Sequence, residues 1–139
     1  MIGIILISHA HIASETKSAV EHILGKQGYF ETVDIPNSDV LSGEQDRFNL
    51  LLESVNNGHG VLVMVDLFGA TPCNFVLEAS EPNHIEVVVG FNLPAVIKAI
   101  TLRQDVTELK TLAALSVRSG QQYLQVTNEK NISQELLID

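Results

Sequence analysis

Residues 2–15 read IGIILISHAHIASE. The run Ile2 to Ile7 is apolar at nearly every position and rich in β-branched side chains, so it is too continuous for a strand with one wet face. It has the pattern of a strand covered on both sides. Ser8, His9, Ala10 and His11 interrupt it, and a helical spacing begins, with Ile12, Thr16, Val20, Ile23 and Leu24 on one face and Gly25 as a C-cap. A buried strand running straight into a helix is the first half of a βαβ unit. Two histidines stand at the joint.

The same grammar recurs along the chain. Val61 to Val65 and Ile85 to Val89 are further apolar runs, and a weaker one at Tyr29 to Val33 supplies a fourth strand. A second helix is expected from Ser42, with Gln45 at capping-box spacing and apolar residues Phe48, Leu51, Leu52 and Val55. Thr71-Pro72 opens a third, Leu93 to Leu102 forms another, and the last runs from the capping pair Asp105 and Glu108 to Gly120. Gln122 to Val126 alternates in the manner of an edge strand. The expected fold is α/β: a single doubly wound, mainly parallel sheet with helices on both faces and a C-terminal edge strand, a three-layer sandwich. The domain is expected to span 1–127, with 128–139 as a polar tail.

At 139 residues and 45% apolar content the chain is the size of one domain with a real core. Eight basic residues against 17 acidic ones give a net charge of −9, which disfavours nucleic acid and anionic membrane surfaces as partners. The single cysteine, Cys73, cannot form an internal disulfide, and the apolar runs are far shorter than the roughly 20 residues of a membrane span. A cytoplasmic protein without membrane insertion is the expectation.

In an open α/β sheet, ligands gather outside the carboxyl ends of the parallel strands. That rule collects Ser8, His9 and His11 after the first strand, Asp66 and the turn Leu67 to Pro72 after the third, and Phe91, Asn92 and Pro94 after the fourth. A carboxylate at Asp66 could hold Nδ1–H of His9 and expose Nε2, making His9 a phosphoryl acceptor or a general base. Backbone N–H groups at the start of the third helix, with the Thr71 hydroxyl, would cradle an anion without a basic side chain. Each feature has a plainer meaning as well. His9 fits a helix-start histidine bonded to backbone, Asp66 a turn residue, Thr71 a simple N-cap, and Asn92 and Pro94 a turn. His11 fits a solvated residue on the first helix. "GKQGYF" lacks the P-loop spacing and no GxGxxG follows the first strand. A small zinc site built on His9, His11, Asp66 and His84 is the remaining metal alternative; no metal and no cofactor are expected.

The stretches "IILISHAHIASE", "GVLVMVDLFGATPCN" and "VVVGFNLP" together resemble the IIA component of the mannose-type (mannose/fructose/sorbose) bacterial phosphotransferase system, over Ile2 to Gly120. The resemblance implies a phosphotransferase component: a phosphocarrier in which His9 accepts a phosphoryl group at Nε2 from phospho-HPr. His9 would pass it to a IIB protein or domain for carbohydrate uptake, and association with membrane IIC and IID would be through IIB. Asp66 would orient the imidazole, and Gly69, Ala70 and Thr71 would contribute to the phosphate site. The family's homodimer, with its edge strand exchanged between subunits, would place Gln122 to Val126 in the partner's sheet. Ala70 departs from the usual second glycine, and Phe68 stands where tryptophan is common. The alternatives are a regulatory phosphoprotein of an incomplete system, a phosphotransfer subunit for a dihydroxyacetone kinase and, third, a metal-dependent hydrolase.

Overall fold

A computed structural model describes residues 1–35, 43–67 and 84–127. Four parallel strands, β1 (Gly3–His9), β2 (Phe30–Ile35), β3 (Val61–Val65) and β4 (Ile85–Val89), form one sheet in the order β2-β1-β3-β4. Among the described residues the helices are α1 (Ile12–Leu24), α2 (Glu44–Val55), α3 (Leu93–Leu102) and α4 (Leu109–Tyr123). The α/β sandwich expected from the sequence is the observed one.

Because side chains alternate along a strand, β1 feeds both faces. Ile2, Ile4 and Leu6 pack with Leu62 and Met64 under α1, α3 and α4, while Ile5 and Ile7 pack with Val61, Val63 and Val65 against Phe48, Leu52 and Val55 of α2. Every one of these side chains is buried. At Gly3 the sheet and α2 approach so closely that a Cβ would collide with the Val55 carbonyl, so only glycine fits.

Several details differ from expectation. Strand two reaches Ile35 rather than stopping at Val33. On α1 the core stripe is Ala13 and Val20, while Ile12 and Ile23 are about half exposed, so the helix is rotated from the face its larger apolar residues suggest. Gly43, with φ at 90°, stands at the N-cap of α2; Ser42 lies outside the described residues. So do Thr71, Pro72 and the third helix of the sequence reading.

The last helix does not end at Gly120. That glycine is buried inside α4, where a Cβ would lie 2.8 Å from Asn92 Oδ1 and 3.0 Å from Ala95 Cβ, so its smallness serves helix packing rather than termination. The helix therefore consumes Gln122 and Tyr123, and 124–127 carry no strand. The expected C-terminal edge strand at Gln122 to Val126 is thus absent from this single chain: its first two residues spend their backbone bonds in the helix. No helix of the described residues is long and apolar enough to cross a membrane.

Candidate functional site: two imidazole–carboxylate pairs at the carboxyl edge

The strand order reverses direction between β1 and β3, and the carboxyl ends of these neighbours form the crevice of the sheet. The register sets Ile7 beside Val65, where β3 ends; Asp66 follows there, while β1 runs on beside β2 through Ser8 and His9. Asp66 is anchored by its own N–H, which donates to the Ile7 carbonyl at 3.1 Å, and its Oδ1 accepts the Leu67 N–H at 2.8 Å. The carboxylate then grips His9 twice. Oδ2 accepts the backbone N–H of His9 at 2.9 Å and lies 3.0 Å from ring Nδ1, with Oδ1 at 3.3 Å.

A carboxylate only accepts, so this arrangement puts the ring proton on Nδ1 and leaves Nε2 with its lone pair. The Asp66 side chain is 8% exposed and the His9 side chain 50% exposed, so the acceptor is sheltered while the ring reaches solvent. Asp66 and His9 Nδ1, set side by side in the expectation from sequence, lie within hydrogen-bond distance of each other.

The joint between strand and helix is held by local bonds. Ser8 Oγ is buried, accepts the Ala13 N–H at 2.6 Å and so satisfies one of the open donors of the first turn of α1. Ala10 sits at φ 48°, a left-handed conformation costly for a residue with a Cβ, and its N–H donates to the Ile35 carbonyl at 2.9 Å.

A second carboxylate, which the sequence reading did not single out, stands on the other flank of β1. Asp34 Oδ2 lies 3.1 Å from His11 Nδ1 and accepts the Ser14 hydroxyl at 2.6 Å, and Oδ1 accepts the Ser14 N–H at 3.0 Å. Burial, the largest influence, pushes the Asp34 carboxyl up, but the Ser14 hydroxyl, the His11 ring and the Ser14 N–H together hold it below its ordinary value of 3.8. The signal was available: had strand two been read through Ile35, Asp34 would have fallen at the same edge as Asp66.

The remaining candidates are placed as follows. Gly69, Ala70 and Thr71 lie outside the described residues, as do Phe68 and Cys73. Asn92 caps α3: its Oδ1 accepts the Ala95 N–H at 3.0 Å and its Nδ2 donates to the Gly120 carbonyl at 2.9 Å, a structural role. His84 is at the opposite end of the sheet, where its carbonyl receives the Val61 N–H, so it cannot join His9, His11 and Asp66 in a zinc site. Among the described residues no three histidine, cysteine or acidic side chains converge as metal ligands. Lys17, the nearest basic residue along the chain, is turned to Glu31 and the face of Phe30.

Comparison with known proteins bears on the family and the fold. The family model described as the PTS system fructose IIA component matches residues 3–116. The mannose-specific EIIAB component of Escherichia coli strain K12 is 27% identical over 135 residues, covering 94% of this chain but 41% of its own length. The chain thus spans less than half of that relative. The fructose-specific EIIA component of Bacillus subtilis is 27% identical over 130 residues, covering 93% of this chain and 88% of its own. The solved structure of the mannose/sorbose-specific IIA subunit from Enterococcus faecalis superposes with a TM-score of 0.80 at 31% identity, covering 91% of this chain and 95% of that one. Fold and sequence coincide, and the chain belongs to the mannose/fructose/sorbose IIA family of the phosphotransferase system.

Proposed function

We propose that this protein is a cytoplasmic phosphocarrier that takes a phosphoryl group on His9 Nε2 from phospho-HPr and passes it to a IIB protein or domain for carbohydrate uptake. The observation that carries this reading is the Asp66 carboxylate at 3.0 Å from His9 Nδ1. In the forward step the Nε2 lone pair forms the new N–P bond as the donor's N–P bond breaks, the electron pair returning to the donor nitrogen. The positive charge gained by the ring falls against Asp66, and Nδ1–H stays where it is. Transfer in this form asks for positioning and charge stabilisation rather than covalent chemistry by other side chains. A ring half open to solvent suits a reaction whose other reactant is a protein. Gly69, Ala70 and Thr71 are proposed, from the family resemblance, to bind the phosphoryl oxygens through neutral donors.

The test is to incubate the protein with phosphoenolpyruvate, enzyme I and HPr and to follow intact mass. Wild type is expected to gain an acid-labile phosphoryl group rapidly, and His9→Ala to lose that rapid gain. Equal rates in the two proteins, or no gain in either, would overturn the assignment.

We further propose a homodimer in which the segment following Tyr123 pairs with the partner's sheet. Leu124 and Val126 are 82% and 83% exposed, and β4, at the sheet's edge, leaves Val87 and Val89 two-fifths open. An exposed edge of this kind is a template for another strand.

A further inference from the structure

We infer that His11 is a second phosphoryl-accepting histidine, with Asp34 in the part that Asp66 plays for His9. The inference rests on reading the chain as a phosphoryl carrier and adds a site to it. The two pairs are built alike. In each, a carboxylate at the carboxyl end of a strand neighbouring β1 meets Nδ1, at 3.0 Å in one and 3.1 Å in the other. In each, that carboxylate is itself fixed by a backbone N–H, of Leu67 or Ser14. Asp66 comes from the β3 side and Asp34 from the β2 side, so the pairs occupy opposite flanks of the same strand end.

The left-handed turn at Ala10 is what divides them, because it redirects the chain between consecutive histidines. His11 is thereby aimed away from β3 and onto Asp34. With its proton on Nδ1, its Nε2 carries the lone pair, and the side chain is 83% exposed. A simple helix-start histidine would need no carboxylate, and Asp34 already caps α1 through Ser14 without any ring. The third bond is the one that the capping role leaves unexplained.

The step balances as at His9. The Nε2 lone pair of His11 attacks phosphorus, the donor's P–N bond breaks with its electrons leaving on the donor nitrogen, and the ring's new positive charge is met by Asp34. Any donor with a labile P–N bond serves, phosphohistidine on a carrier protein or the small molecule phosphoramidate, from which ammonia departs.

His22, exposed on the same helix and without a carboxylate partner among the described residues, is the internal reference. The protein is treated with phosphoramidate, and site occupancy is mapped over time by tandem mass spectrometry under alkaline conditions. His11 is expected to be labelled about tenfold faster than His22, the rate equivalent of one charge-assisted hydrogen bond, both in wild type and in His9→Gln. In Asp34→Asn the ratio is expected to collapse towards one. A ratio near one in wild type, or one that Asp34→Asn leaves unchanged, would overturn the inference. Failure of His9 to accept from phospho-HPr would instead sink the carrier reading, and it is scored separately because phosphoramidate needs no protein partner.

Discussion

At the scale of single residues, the behaviour of His9 turns on which nitrogen keeps the proton. Asp66→Asn keeps the side-chain shape but allows an amide N–H to face Nδ1, favouring the tautomer with its proton on Nε2. Transfer from phospho-HPr should slow by about a hundredfold or more, on the order of the loss when an orienting aspartate is replaced. The far-UV circular dichroism should not change. A variant with normal transfer would remove Asp66 from the mechanism. Asp34 makes a different prediction. Its folded pKa is depressed, so its contribution to stability is complete above the unfolded value and is lost as pH falls through the folded one. Wild type should therefore lose stability on acidification below about pH 4 more steeply than Asp34→Asn, which should start about 1 kcal/mol lower at neutral pH through the weakened cap. Urea titrations of both proteins between pH 3 and pH 7 check this, and parallel curves would refute it.

His9 and Asp66 were legible in the sequence because long apolar runs locate the sheet's carboxyl edge, and that edge decides which loops meet. Asp34 was not, since β2 is short and half-polar, and ending it early moved its last acid out of the set. Arg103 left no signal at all. It is the buried cation among the described residues, 1% exposed, with its guanidinium donating to the carbonyls of Ile2, Gly28 and Tyr29 at 3.2, 2.6 and 3.0 Å. Burial lowers its pKa. A basic residue following a helix reads as surface; only the assembled fold shows the carbonyls at the amino ends of β1 and β2 to which it donates.

Elements are positioned by comparable junctions. α3 and α4 meet through Asn92, which caps one helix with its oxygen and bonds the other with its nitrogen. Asn92→Ala should lower stability by about 1–2 kcal/mol, the cost of an N-cap together with a helix-to-helix bond, and shift the urea midpoint accordingly. No change in the midpoint would show both bonds to be dispensable. The sequence marked Asn92 as a turn former, which its cap confirms in part, whereas the bond to Gly120 depends on packing between helices and could not be read locally. The alternation in Gln122 to Val126 misled for the same reason: a two-residue period says strand, but Gly120, read as a stop, fits inside the helix against Asn92 and Ala95.

For the whole molecule, the parallel sheet and its covering on both faces followed from four apolar runs, while the strand order and the association of chains did not. If 124–127 seat on a partner's β4, wild type should sediment as a dimer. Leu124→Asp with Val126→Asp should then sediment as a monomer that keeps its helical spectrum. A monomeric wild type would refute exchange. An apolar groove of about 480 Å³ on the helical face, lined in part by Ile23, Leu24, Ile97 and Tyr123, touches neither histidine pair. The chemistry and this groove are thus separated in space.

One oxygen, Asp66 Oδ2, receives both the main-chain N–H and the ring Nδ1–H of His9. Two donors sharing one acceptor compete: when the ring gains charge and tightens its hold, the amide must give up part of its own. The His9 amide resonance in a ¹⁵N spectrum is therefore a gauge wired to the reacting ring, moving upfield as the imidazole becomes cationic. It would report occupancy of Nε2 in real time, without a label, from a backbone position that takes no part in bond making.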